Sequence, residues 1–155
     1  MKKFAKYIAV FAIAVLATSI LGSIFSTQFV LAGLQGIGID IPMADRLSMT
    51  MADFGILPLM GALFAICLLV GFPIAGLCAA KIGGSRDAWF VAAGSSAVVC
   101  ELLILSSQMD LMILAGARTT MGLMAQGFAG GMGGWVFATM TTKLSADGAV
   151  GSEDA

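Results

Sequence analysis

Long charge-free runs set the pattern of this chain. No charged residue occurs from Tyr7 to Ile39, from Phe54 to Ala80, or from Thr119 to Thr142. Ala88 to Met109 is interrupted once, by Glu101. A helix needs about 20 predominantly apolar residues to cross the hydrocarbon of a bilayer. Each run therefore predicts one span, at about 7–30, 56–80, 88–107 and 119–141 on the hydropathic pattern. The fold class this predicts is all-α, an integral membrane four-helix bundle occupying residues 1–144, followed by an acidic tail over 145–155.

Between the first two spans the pattern changes. Gly33 to Pro42 (GLQGIGIDIP) is glycine-rich and predicts irregular chain. Pro42 suits the first position of a helix, with Asp40 or Ile41 near its cap. Met43, Leu47 and Met51 then recur at spacing four, while Asp45, Arg46 and Ser48 fall elsewhere. This predicts a short amphipathic helix, either lying in the outer membrane interface or closing as a lid packed on the bundle. The tail SADGAVGSEDA is small, polar and acidic, and predicts disorder.

Composition strengthens the membrane reading. Hydrophobic residues make up 59% and charged residues 11% of the 155, against about 45–50% and 25% in soluble domains. No water-soluble core of this length hides so much apolar surface. The net charge of −1 gives no electrostatic reason to expect nucleic acid.

The few cations fix an orientation. Lys2, Lys3, Lys6, Lys81, Arg86 and Lys143 fall on one side of a four-span chain, and only Arg46 and Arg118 on the other. The excess of positive charge belongs in the cytoplasm. Both termini are thus expected there, and the membrane is read as a bacterial inner membrane. Tyr7, Trp89 and Trp135 lie toward the same side, as an aromatic belt does. Lys2 and Lys3 before an apolar run resemble a secretory signal, with Val30-Leu31-Ala32 as a cleavage site. The run is much longer than the about 7–15 residues of a signal core, so an uncleaved first helix is expected.

In lipid, small residues mark helix contacts. The fourth span carries QGFAGGMGG, in which Gly127 pairs with Gly131 and Gly130 with Gly134. Gly122, Gln126, Gly130, Gly134 and Ala138 also follow at spacing four. The first span offers Ala14, Thr18, Gly22 and Ser26, the second Gly71, Ala75 and Ala79, the third Ala93 and Ala97 and then Glu101. These faces serve internal packing or a homo-oligomer formed through the fourth span. Pro73 is expected to kink the second span and free the carbonyl near Leu69.

Glu101 is the chemical anomaly. It lies about six residues, or about 9 Å, from the outer end of its span, and Gln126 lies at a similar depth in the fourth. If their small-residue stripes face each other, the two meet as an intramembrane polar site. Desolvation there favours the neutral acid, which both donates to and accepts from an amide. Ser95, Ser96 or Thr18 would complete the set, and Arg118 is an alternative partner for Glu101. The site reads either as a packing hydrogen bond or as an ion pathway.

Other chemistry is thin. Histidine is absent, and Cys67, Cys78 and Cys100 match no metal or redox spacing. The methionines on the outer side, including Met49 and Met51, read as gap-filling side chains rather than copper ligands. Asp110, Arg46 and Arg118 read as a solvated outer polar surface. No paired carboxylates, nucleophile–base arrangement or phosphate loop occurs, so no enzyme, metal or cofactor is expected. The expected function is an accessory or scaffold subunit acting through its glycine-rich faces, with lipid and another membrane protein or a second copy as partners. The alternative is a minimal oligomeric transporter or channel using Glu101 and Gln126.

Overall fold

A computed structural model of the chain describes residues 2–36, 42–53, 55, 57–109 and 119–150. It is all-helical, with five helices: α1 Lys2–Gly36, α2 Met43–Asp53, α3 Leu57–Ile82, α4 Arg86–Met109 and α5 Thr120–Val150. Three of them, α1, α3 and α4, are long and apolar enough to cross a membrane. The fourth long helix, α5, has 31 residues but is not among them. Its glycines and Gln126 add length without apolarity.

The termini of these helices follow local chemistry. Gly83 and Gly84 have φ of 80° and 91°, a left-handed turn that side chains with a Cβ resist. That turn reverses the chain from α3 into α4. Ser85 precedes α4 and accepts the Ala88 N–H at 3.5 Å. Thr119 caps α5, its Oγ1 accepting the Gly122 N–H at 3.0 Å. Pro42 stands just before α2, and its carbonyl accepts from Asp45 N and Arg46 N, each at 3.1 Å.

Two expected boundaries move. Gly33 to Gly36 continue α1 instead of opening an irregular loop. A glycine weakens a helix by only about 1 kcal/mol, too little to end a turn already propagating from a long apolar run. Likewise α5 passes through Ser145 to Val150, into the acidic stretch. The hydroxyl of Ser145 lies 3.4 Å from that of Tyr7 on α1 and 3.0 Å from Thr141 O. At Pro73 α3 continues as helix.

Each of the four long helices lies beside two others: α1 touches α3 and α5, and α4 touches α3 and α5. One phenylalanine from each joins a cluster centred on Phe72 and Phe137. Phe72 of α3 stacks on Phe137 of α5 at 4.6 Å, with Phe90 of α4 and Phe11 of α1 at 5.6 and 6.0 Å from Phe72. The Tyr7–Ser145 contact, the bonds from Arg86 to Thr141 and Thr142, and the Trp89 Nε1–Gly83 O bond of 2.9 Å lie near this knot. The start of α1, the end of α3, the start of α4 and the end of α5 therefore share one end of the molecule, where Lys6, Lys81, Arg86 and Lys143 also lie. Arg86 spreads its guanidinium over the Phe90 ring at 5.1 Å.

The surface is apolar as well as the interior, unlike that of a soluble domain. Ile8, Leu16, Ile66, Leu69, Val70, Leu77 and Ile104 point outward, Leu69 with 62% of its surface exposed. Thr18, Ser19, Ser23, Thr27, Gln126 and Thr141 are buried. The hydroxyls of Thr18, Ser19, Thr27 and Thr141 donate to carbonyls of the preceding turn, so they need no water.

Candidate functional site

The glycines of α5 form two contact faces. Toward α4, a Cβ added at Gly130 would strike the Gly94 carbonyl, and one added at Gly94 would strike that of Gly130. Gly134 is closed by Phe90 O in the same way, Gly131 by Ser95 Oγ at 2.6 Å and Gly127 by Val99 Cγ2 at 3.0 Å. Toward α1, Gly133 meets Thr18 Oγ1 and the Ala14 carbonyl. Gly122 is buried at the start of the helix. Among the described residues, Gly127, Gly130, Gly131, Gly133 and Gly134 thus pack against α4 and α1 within the chain.

Gln126 belongs to the α1 contact. It is 1% exposed, and its Nε2 donates to Gly22 O at 2.8 Å. Gly22 is small of necessity, since a Cβ there would come within 2.8 Å of Gln126 Oε1 and 3.2 Å of Phe64. In a membrane such a bond contributes about 0.6–2 kcal/mol, and it fixes the register of α1 on α5. Gln126 Oε1 is buried without a hydrogen-bond partner.

Glu101 lies elsewhere. The structure does not bring it together with Gln126, and no hydrogen bond joins them. Ala93 and Ala97 face α3, where a Cβ at Gly71 would come within 3.3 Å of Ala97 Cβ. Glu101 continues that face, four residues on. The residue between two neighbouring helices decides the outcome: Gly94 and Val98, one step along, face α5 instead. None of Ser95, Ser96 and Thr18 completes a polar set around Glu101. Ser96 Oγ and Thr18 Oγ1 donate to Ala93 O and Ala14 O, while Ser95 packs against Gly131.

What surrounds Glu101 is a groove between α3 and α4 of about 420 Å³, lined by Cys67, Gly71, Ala93, Ala97, Cys100 and Glu101 among others. The Cys67 thiol contacts the carboxyl and also sits 3.3 Å from Phe64 O. Glu101 Oε2 is buried and has no hydrogen-bond partner. Cys100 is exposed on the rim. A smaller groove of about 360 Å³ lies between α4 and α5 at Ser95, Gly131 and Trp135.

Of the outer polar residues, Arg46 is half-buried on α2. Asp110 and Arg118 lie outside the described residues, and so does any pairing of Glu101 with Arg118. The apolar stripe of α2 faces away from the other helices: Met43, Leu47 and Met51 are all exposed. A lid seated through that stripe is therefore not what forms; Arg46 and Thr50 are the half-buried positions. Among the described residues, no three His, Cys, Asp or Glu side chains come together to hold a metal.

No protein-family model matches the chain, and no curated protein or solved structure is similar to it.

Proposed function

We propose that this chain is a four-span inner-membrane protein, with both termini cytoplasmic, that serves as an accessory or scaffold subunit by docking other membrane helices. The apolar surface supports the four spans. Aliphatic side chains sheathe the outside, and the buried hydroxyls of Thr18, Ser19, Thr27 and Thr141 donate to carbonyls of their own helices, as a hydrocarbon solvent requires. On this reading α5 needs little apolarity of its own because its glycine faces are covered by α1 and α4. The exposed Met43, Leu47 and Met51 stripe lets α2 lie in the outer interface.

The single observation that carries the docking role is the α3–α4 groove. The groove opens to the outside between Ile66, Val70, Ile74 and Ile104, beside Gly71, Ala93 and Ala97, which close on one another between α3 and α4. Small residues that admit a close backbone are how membrane helices associate. Ser96 is exposed on the groove wall, so Ser96→Trp fills the groove without entering the core. Purification in mild detergent with native mass measurement tests this. The wild-type chain is expected to carry a second polypeptide and the Ser96→Trp variant to lose it while remaining folded. An unchanged set of co-purifying proteins contradicts the role.

A transporter reading is favoured by one observation, the unpartnered Glu101 Oε2, since intramembrane carboxylates mark ion paths. It requires that Glu101→Gln abolish flux through reconstituted protein.

A further inference from the structure

We infer that the end of the bundle where α1 begins and α5 closes binds the phosphate of an anionic phospholipid headgroup, with Arg86 as its fixed ligand. The inference rests on the membrane-spanning reading proposed above and adds a lipid partner to it. Lys6, Lys81, Arg86 and Lys143 come one from each long helix, and all four are exposed. Among the described residues none of them forms an ion pair. Asp87 follows Arg86 on α4 and pairs with none of the four.

Arg86 is held in place by three groups. Its Nη1 donates to Thr142 Oγ1 at 2.8 Å, its Nη2 donates to Thr141 Oγ1 at 3.0 Å, and its plane covers the Phe90 ring at 5.1 Å. Two of the five guanidinium N–H donors are used in this way. The remaining three stay in a fixed fork that suits phosphate oxygens. Thr141 to Ser145 is one turn of α5, and Lys143 lies within it. Tyr7, next to Lys6, has its Oη 3.4 Å from Ser145 Oγ. Across the Gly83–Gly84 turn, Lys81 lies in the last turn of α3. One turn of α5 thus draws cations of neighbouring helices to a common end.

The surroundings say what covers these cations. Phe4 and Ile8 flank Lys6, and Ile82 follows Lys81, each more than half exposed. Tyr7 and Trp89 stand at the same level, as such rings do where acyl chains give way to headgroups. A free anion or a soluble acidic protein meets the charges and leaves the apolar side chains in water. A phospholipid meets both, with its phosphate on Arg86 and its chains on the apolar side chains beside it.

The test offers the full chain in mild detergent phosphatidylglycerol or phosphatidylcholine and counts the retained lipid by native mass measurement. Wild-type protein is expected to hold one phosphatidylglycerol about tenfold tighter than phosphatidylcholine. Arg86→Lys keeps the charge but loses the fork, and should remove most of that preference. Thr142→Val, at an exposed position, loosens the fork without changing any charge and should lower the preference; an unchanged preference in it overturns the inference. So does an unchanged preference in Arg86→Lys, which would leave only diffuse attraction, or equal binding of the two lipids by wild-type protein. Displacement of the lipid by inorganic phosphate would make the ligand a free anion and overturn it as well. A preference that emerges only after removal of residues 151–155 would make the occupant this chain's own acidic tail, with the same consequence. None of these failures touches the number of crossings, which is read separately by labelling from the two sides of the membrane.

Discussion

Gly130→Leu is expected to abolish the folded state of this protein, not to dissociate copies of it. Gly94 and Gly130 bring the backbones of α4 and α5 together so closely that a single added Cβ meets a carbonyl oxygen, and Val98 Cγ2 lies 2.7 Å from the same point. A carbonyl in a helix is tied into the ladder and does not move aside as a side-chain tip does. Accommodating leucine requires separating the two helices and giving up the contacts at Gly127, Gly131 and Gly134 together. Overpacking a core typically costs about 1–3 kcal/mol; loss of a whole backbone interface places this change beyond about 4 kcal/mol. Reversible unfolding in bicelles, followed by steric trapping, measures it. Gly33→Ala is the control: nothing lies within 4 Å of a Cβ there, and its effect should stay within about 1 kcal/mol, the propensity difference between glycine and alanine. A Gly130→Leu protein with wild-type stability and altered copy number would mean that α5 faces a partner.

Phe72→Ala should be the most damaging truncation in the chain, costing about 3–5 kcal/mol. Phe72 is 4% exposed and touches the rings of Phe11, Phe90 and Phe137, one from each other long helix. No single neighbour can collapse into the vacated space without leaving another helix, so most of the cavity persists. Lipid cannot reach it. The same bicelle measurement reads the loss. Phe128→Ala, on the exposed side of α5 with Phe25 at 6.2 Å, should cost well under half as much. Equal effects of the two would mean that the four rings do not form a common core.

Much of this architecture is written in the charge pattern, because lipid tolerates so few exceptions. The expected spans at 56–80 and 88–107 differ from α3 and α4 by about two residues at each end. The small-residue stripes mark faces suited to close packing on every long helix. What the stripes do not encode is which neighbour they meet. Successive residues of a helix point about 100° apart, so Ala97 and Val98 address different helices. A stripe at spacing four is equally compatible with either. That is why Glu101 reads as a partner for Gln126 when it faces α3. The phenylalanine knot is illegible for a related reason: the chain holds 10 phenylalanines, all within or near apolar runs, and nothing local separates the four that converge. Conversely, α5 is weak by apolarity and recognisable by the absence of charge alone.

The number of crossings is the proposition on which the rest depends, and α5 is where it is decided. Cysteine labelling with a membrane-impermeant maleimide, in a background with Cys67, Cys78 and Cys100 replaced by alanine, measures it directly. Single cysteines at Ser48, Ser85 and Ser145 report on α2, the α3–α4 turn and the far part of α5. Ser48→Cys is expected to label from outside intact cells, whereas Ser85→Cys and Ser145→Cys label only after permeabilisation. Labelling of Ser145→Cys in intact cells, with Ser85→Cys still protected, would show that α5 does not cross and would contradict the four-span account.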